Sequence, residues 1–222
     1  MVPPEKEAYF TPEKLAIQAQ ELIHAPGVVA RKAAESFDPA RAALLVLDMQ
    51  LYFLDEASHA FIPSASAIIP GVAGLIHQFY AYNLPVIFTR HTNTAQDAGL
   101  MAAWWRDLIA PDNPRSAITP HLDASRATRI EKTHYDAFFD TPLEAHLRDL
   151  HVQQVVVTGV MTHLCCETTA RSAFMRGFQP VFVVDGTATY NRHFHIATLT
   201  NLAHGFASLA LVADILATLE DG

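Results

Sequence analysis

Six short apolar runs punctuate this chain, and between most of them lie longer stretches whose apolar residues recur every three or four positions. The runs at residues 42–48, 86–89, 128–132, 152–158, 181–184 and 209–212 have the length of strands, and the β-branched content of several of them marks strands buried in a sheet. The intervening periodicity predicts helices over residues 12–24, 70–82, 142–150, 162–176 and 192–204, with a last helix at the C-terminus. Val72, Leu75, Ile76 and Phe79 share one helical face, as do Leu15, Ala19, Leu22 and Ile23. Thr11 is placed to cap the first helix, and Thr162 to cap the fourth, with Gly177 in the stop position. This alternation predicts an α/β architecture with a largely parallel sheet.

Composition narrows the picture. A chain of 222 residues, half of them hydrophobic, can bury one substantial core and suits a single globular domain. Its formal charge of −8 and the lack of a basic cluster argue against a nucleic-acid surface, so a small-molecule partner is expected. Only two cysteines occur and they are adjacent, Cys165 and Cys166, which suits a working thiol in the reducing cytoplasm better than a disulfide framework. The first residues lack the apolar core of a secretory signal, and no run reaches the roughly 18 apolar residues of a membrane span. No repeat or low-complexity segment is evident. The connection over residues 90–121 is long, polar and aromatic, with Trp104 and Trp105 in a short helical piece and Pro111, Pro114 and Pro120 beyond it. Long connections of this kind often carry specificity.

Three strand ends carry chemistry. The first strand closes on Asp48, the third delivers Lys132, and the fourth runs through Gly159 into Cys165 at the start of a helix. Taken singly, these are a turn carboxylate, a solvated charge and a small core residue. Together they lie at the C-terminal edge of an α/β sheet, where ligands bind. In the first helical turn the dipole favours a thiolate, so the Cys165 pKa is expected below the free value of roughly 8.5, and a lowered pKa is what a nucleophile near neutral pH needs.

The segments around Asp48, around Lys132 with Tyr135, Phe138 and residues 141–144, and over residues 159–165 resemble the isochorismatase-like cysteine hydrolase superfamily, as does Asp185-Gly186-Thr187. That group includes nicotinamidases, N-carbamoylsarcosine and ureidoacrylate amidohydrolases, and isochorismatases. The resemblance spans residues 41–219. It implies a three-layer α/β/α fold around a six-stranded, mainly parallel Rossmann-like sheet of order 3-2-1-4-5-6. Residues 41–222 would form the hydrolase domain and residues 1–40 an N-terminal arm with one short helix. It further implies Asp48, Lys132 and Cys165 as a catalytic triad, the backbone N–H groups of Met161 and Cys165 as an oxyanion hole, and a cis peptide between Val160 and Met161. Gln50, Phe53, His91, Tyr135, Phe138 and Thr162 resemble substrate-lining positions. The activity implied is hydrolysis of a small amide, carbamoyl or ureido C–N bond through a thioester, by a homodimer or homotetramer.

Two other readings remain. Isochorismatase-type vinyl ether cleavage is the first, although Cys165 stands where the siderophore- and phenazine-pathway enzymes carry glycine. The second is a non-catalytic binding module, against which the complete triad counts. Nicotinamidases hold a metal through an Asp-x-His pair after the first strand; this chain has no such pair, and His59 and His91 lack evident partners despite a total of 12 histidines. Neither a metal nor another cofactor is therefore expected, and nicotinamide is disfavoured as substrate.

Overall fold

The structure is a computed structural model that describes residues 5–29 and 37–220. The remainder of the 1–40 arm lies outside those residues. Six parallel strands form one sheet: β1 (Ala42–Leu47), β2 (Val86–His91), β3 (Thr128–Lys132), β4 (Gln154–Val160), β5 (Gln179–Ala188) and β6 (Ser208–Ala210), in the order β3-β2-β1-β4-β5-β6. Every strand pair is parallel, which sharpens the expected "mainly parallel" sheet. β1 and β4 are buried at every position, so both read as continuous apolar runs rather than alternating ones.

Helices cover both faces. α1 (Leu15–Ile23) belongs to the N-terminal arm, and a one-turn α2 (Leu51–Leu54) follows β1. The other helices are α3 (Ala65–Ala81), α4 (Met101–Trp104), α5 (Leu143–Asp149), α6 (Glu167–Met175), α7 (Arg192–Gly205) and α8 (Val212–Glu220). α3 packs with α8, and α6 with α7, as right-handed crossovers leaving a central strand in opposite directions require.

Three helix starts differ from expectation. α1 begins at Leu15 rather than residue 12, because residues 12–14 form a turn in which Lys14 N–H bonds Thr11 C=O, and Thr11 caps nothing. α3 begins five residues before Pro70, which sits exposed inside the helix, where water can reach the Ser66 carbonyl that its missing N–H leaves without an i→i−4 partner. Thr162 does not cap a helix either. Residues Thr162–Cys166 form one wide π turn, with Cys166 N–H reaching Met161 C=O at 3.2 Å, before α6 begins. Such turns often accompany functional sites because they re-aim a side chain.

The β1–β4 contact is unusually close at its C-terminal end. Gly159 has φ +108° and pairs with Leu47; a Cβ there would lie 2.0 Å from the Leu47 carbonyl oxygen. Only glycine lets the strand that leads to Cys165 approach the strand that ends before Asp48.

Candidate active site

β1 and β4 are neighbours whose connections leave in opposite directions, so a crevice opens at their C-terminal ends. Asp48 follows β1 with a left-handed backbone, φ +50°, and its side chain is fully buried. Its Oδ1 accepts a 2.6 Å hydrogen bond from the Thr89 hydroxyl, and its N–H donates to the same Thr89 oxygen at 3.1 Å. Oδ2 lies 2.7 Å from Lys132 Nζ, with neither side chain exposed to solvent. Lys132 also donates to the His134 carbonyl at 2.9 Å and approaches Cys165 Sγ at 3.4 Å. The three residues singled out from separated strand ends thus meet around one ammonium group.

Burial and charge set their protonation. Burial opposes ionisation of Asp48, but Lys132 and then His91 overcome it and hold the carboxyl below its ordinary range. For Lys132, burial favours the neutral amine, yet Asp48 and Cys165 outweigh it and the pKa rises. Cys165 reverses the expectation from its helix-start position. Burial pushes its thiol up to about 12, Lys132 offsets part of this, and the Asp48 charge adds to it. A site 7 % exposed beside a carboxylate desolvates a thiolate more than the adjacent turn stabilises one. The resting state is a thiol beside an ionised carboxylate, so any nucleophilic attack must move the proton as the bond forms. Cys166 is fully buried, its Sγ 4.0 Å from the Thr158 carbonyl, and packs in the core.

His91, at the end of β2, closes the site. Its Nε2 bonds Asn93 Oδ1 at 2.8 Å, while Asn93 Nδ2 donates to the Thr133 carbonyl, fixing the amide's orientation. Nε2 therefore carries the proton and Nδ1 faces Lys132 Nζ at 3.4 Å. Burial and the Lys132 charge press the His91 pKa down to about 4. With both ring nitrogens engaged and no group of three metal-ligating side chains among the described residues, this site does not fit a metal ion.

A cavity of about 650 Å³ opens above Cys165. Phe53, His91 and Tyr135 line it as expected, and so does Met161; the Val160–Met161 peptide is cis. Gln50, Phe138 and Thr162 do not line it. Gln50 is fully buried and acts as a clamp: its Oε1 accepts from His91 N–H at 2.8 Å, and its Nε2 donates to the His91 and Ser116 carbonyls. Phe138 stacks on Phe178 at 5.9 Å in the core, and Thr162 is buried as the first residue of the π turn. The long connection supplies Met101, Trp105 and Ile109 to the wall, with Trp105 Nε1 donating to the Tyr135 hydroxyl at 2.7 Å.

Several functional positions escaped the sequence. Thr89 lies two residues before His91 on the same strand face, and Asn93 two residues after it, a periodicity that would have found both. Lys6 and Tyr190, far apart in the chain, line the cavity without any sequence signal.

Comparison with known proteins identifies the family and the fold. The sequence profile described as the isochorismatase domain matches residues 42–214. The chain is 40% identical over 173 residues to nicotinamidase 3 of Arabidopsis thaliana, covering 76% of this chain and 83% of that protein. It is 31% identical over 208 residues to enterobactin synthase component B of Escherichia coli (strain K12), covering 90% and 71%. In fold it is similar to a crystal structure titled cysteine hydrolase from Pseudomonas syringae pv. phaseolicola 1448A, with a TM-score of 0.81, 24% identity and coverage of 87% and 97%.

Proposed function

Because the chain belongs to the isochorismatase family of hydrolases, we propose that it hydrolyses a C–N bond of a small amide, carbamoyl or ureido compound, with Cys165 as nucleophile, Asp48 as proton carrier and Lys132 as the charge that holds both. The observation that carries this reading is the meeting of Asp48, Lys132 and Cys165 at 2.7 Å and 3.4 Å under a cavity lined by Cys165 itself.

The steps follow from the protonation states. Cys165 Sγ attacks the carbonyl carbon as its proton passes to Asp48, which spares the site a free thiolate. The carbonyl oxygen takes the electron pair and is held by the backbone N–H of Met161, which belongs to the cis peptide, and that of Cys165. Removing one such donor typically costs roughly 10²–10³ in rate. Collapse of this adduct breaks the C–N bond, and the departing amine leaves with the proton from Asp48. A water then attacks the thioester, giving its proton to Asp48, and the C–S bond breaks as Cys165 is reprotonated. Lys132 keeps Asp48 ionised in the resting state and stabilises negative charge on sulfur during attack.

The relative named nicotinamidase returns nicotinamide, which the missing Asp-x-His pair counted against, to the compounds worth testing. A planar amide suits the Trp105, Tyr135 and Phe53 wall.

The test is ammonia release from nicotinamide and from a panel of amides, carbamoyl amines and ureido acids, with Cys165→Ala as control. Turnover abolished in the variant is the expected result. No ammonia from any compound would overturn this reading in favour of vinyl ether cleavage or a non-catalytic role, and cleavage of an isochorismate-type vinyl ether that persists in Cys165→Ala would decide for the former.

A further inference from the structure

The N-terminal arm places an ammonium group in the cavity wall, and nothing in the catalytic steps uses it. Lys6 lines the same cavity as Cys165, held between its two sides. Its Nζ donates to the carbonyls of His59 at 2.6 Å and Phe61 at 2.9 Å, and lies 4.4 Å from the centroid of the Tyr190 ring. These partners are all neutral. Among the described residues no carboxylate pairs with Lys6, whose Nζ has only the two carbonyls and the Tyr190 ring as partners. Burial alone draws its pKa below the ordinary lysine value, with no anion opposing the shift.

The other charges around the cavity cancel. Lys132 is paired with Asp48 at 2.7 Å, and Arg106 faces Asp107 at 3.6 Å. His91 is neutral, and burial pulls the His59 pKa below its usual value despite Asp107 at 3.3 Å. A partly buried cation without a counter-charge, at the wall of a cavity, is placed to receive an anionic group that enters it. The cavity that Lys6 and Cys165 both line is walled elsewhere by aromatic and aliphatic side chains, Tyr52, Phe53, Trp105 and Ile109 among them.

We propose that Lys6 binds a carboxylate on the substrate, so that the enzyme takes anionic N-acyl or N-carbamoyl compounds with an apolar, aromatic body between the acid and the scissile bond. The substrate class rests on the hydrolase reading above, but the anion site does not. Lys6 is then a specificity residue supplied by the arm. The arm keeps its place without it: Glu7 N–H bonds the Tyr190 carbonyl at 2.8 Å, Phe10 N–H bonds Ser64 Oγ at 3.0 Å, and the Tyr9 hydroxyl accepts from Thr189 N–H at 2.9 Å.

Binding separates this proposal from the choice of reaction, since it requires no turnover. Calorimetry would compare 3-phenylpropionate and phenylacetate with the corresponding alcohols on the wild type, Lys6→Gln and Lys6→Arg, each with its melting temperature. A charge-assisted contact predicts that the wild type prefers the acids by about tenfold or more, that Lys6→Gln loses that preference without weakening the alcohols, and that Lys6→Arg retains it. Equal affinity for acids and alcohols in the wild type, no binding of either, or a loss in Lys6→Gln shared equally by both would overturn the assignment. The last outcome would make Lys6 only a fastening of the arm. Absence of ammonia release with preserved acid preference would sink the amidohydrolase reading and leave the anion site standing.

Discussion

Lys132→Met removes the ammonium that holds the Asp48 carboxylate and replaces it with an apolar chain of similar length. Both side chains of the pair are fully buried and their charged atoms are 2.7 Å apart. In the variant, Asp48 keeps the Thr89 hydroxyl at 2.6 Å but has lost its counter-charge. Leaving one partner of a buried pair behind costs about 3–5 kcal/mol, which in a chain of this size lowers Tm by about 6–20 °C. The loss should depend on pH. In the wild type the folded pKa of Asp48 lies below 3.8, so its contribution is present in full above the unfolded value and is lost only as pH falls through the folded one. In the variant, burial is no longer countered by the Lys132 charge and outweighs the hydrogen bond from Thr89, so the folded pKa rises above the unfolded value. Folding then favours the protonated acid, and the penalty grows as pH climbs from the unfolded pKa to the new folded one. The wild-type Lys132 has a raised pKa, so its own contribution is constant below about 10.5 and adds no slope in this window. Urea unfolding of both proteins at pH 7 and about pH 4 should therefore show a gap that is wide at pH 7 and narrow at the lower value. A gap under about 1 kcal/mol at pH 7, the size of an exposed pair, or one that is unchanged at pH 4, would refute the account of a desolvated, Lys132-dependent carboxylate.

Three further outcomes follow from individual contacts. Iodoacetamide labelling of Cys165, read by mass spectrometry, should be slow at pH 7 and still climbing at pH 10, because burial holds the thiol near 12; rapid labelling with a plateau near neutrality would show a thiolate at rest. Gly159→Ala should destabilise by about 2–6 kcal/mol, the sum of left-handed strain and overpacking against the Leu47 carbonyl; a loss within 0.5 kcal/mol by chemical denaturation would mean that β1 and β4 part without cost. Tyr9→Phe strips a buried hydroxyl that accepts from Thr189 N–H and shares a hydrogen bond with His195 Nδ1 at 2.9 Å, so about 1–3 kcal/mol should be lost; an unchanged unfolding midpoint would show that the arm's seat on α7 carries no weight.

Apolar runs and strand-ending residues were enough to place all six strands, to set Asp48, Lys132 and Cys165 at one sheet edge, and to read an α/β fold, because strand burial and helix periodicity are local properties of the chain. Boundaries failed where local chemistry had a competitor: Thr162 has the side chain of a cap, yet it lies buried in a π turn, and Pro70 reads as a start but sits inside α3. Gln50 and Phe138 were placed near the site by their sequence position, and only the packing turned one into a backbone clamp and the other into core. The direction of the Cys165 pKa could not be read from its place before a helix, since it depends on how completely Asp48, Lys132 and the surrounding core exclude water. Likewise, nothing local marks Lys6 as a cavity residue; its position comes from an arm fastened to segments 53 and 180 residues away. The sequence by itself determined which elements form and which reactive groups end them. The tertiary structure decided which of those groups meet, how dry they are and what charge they keep, because desolvation and Coulomb coupling depend on distances between segments that the chain order does not encode.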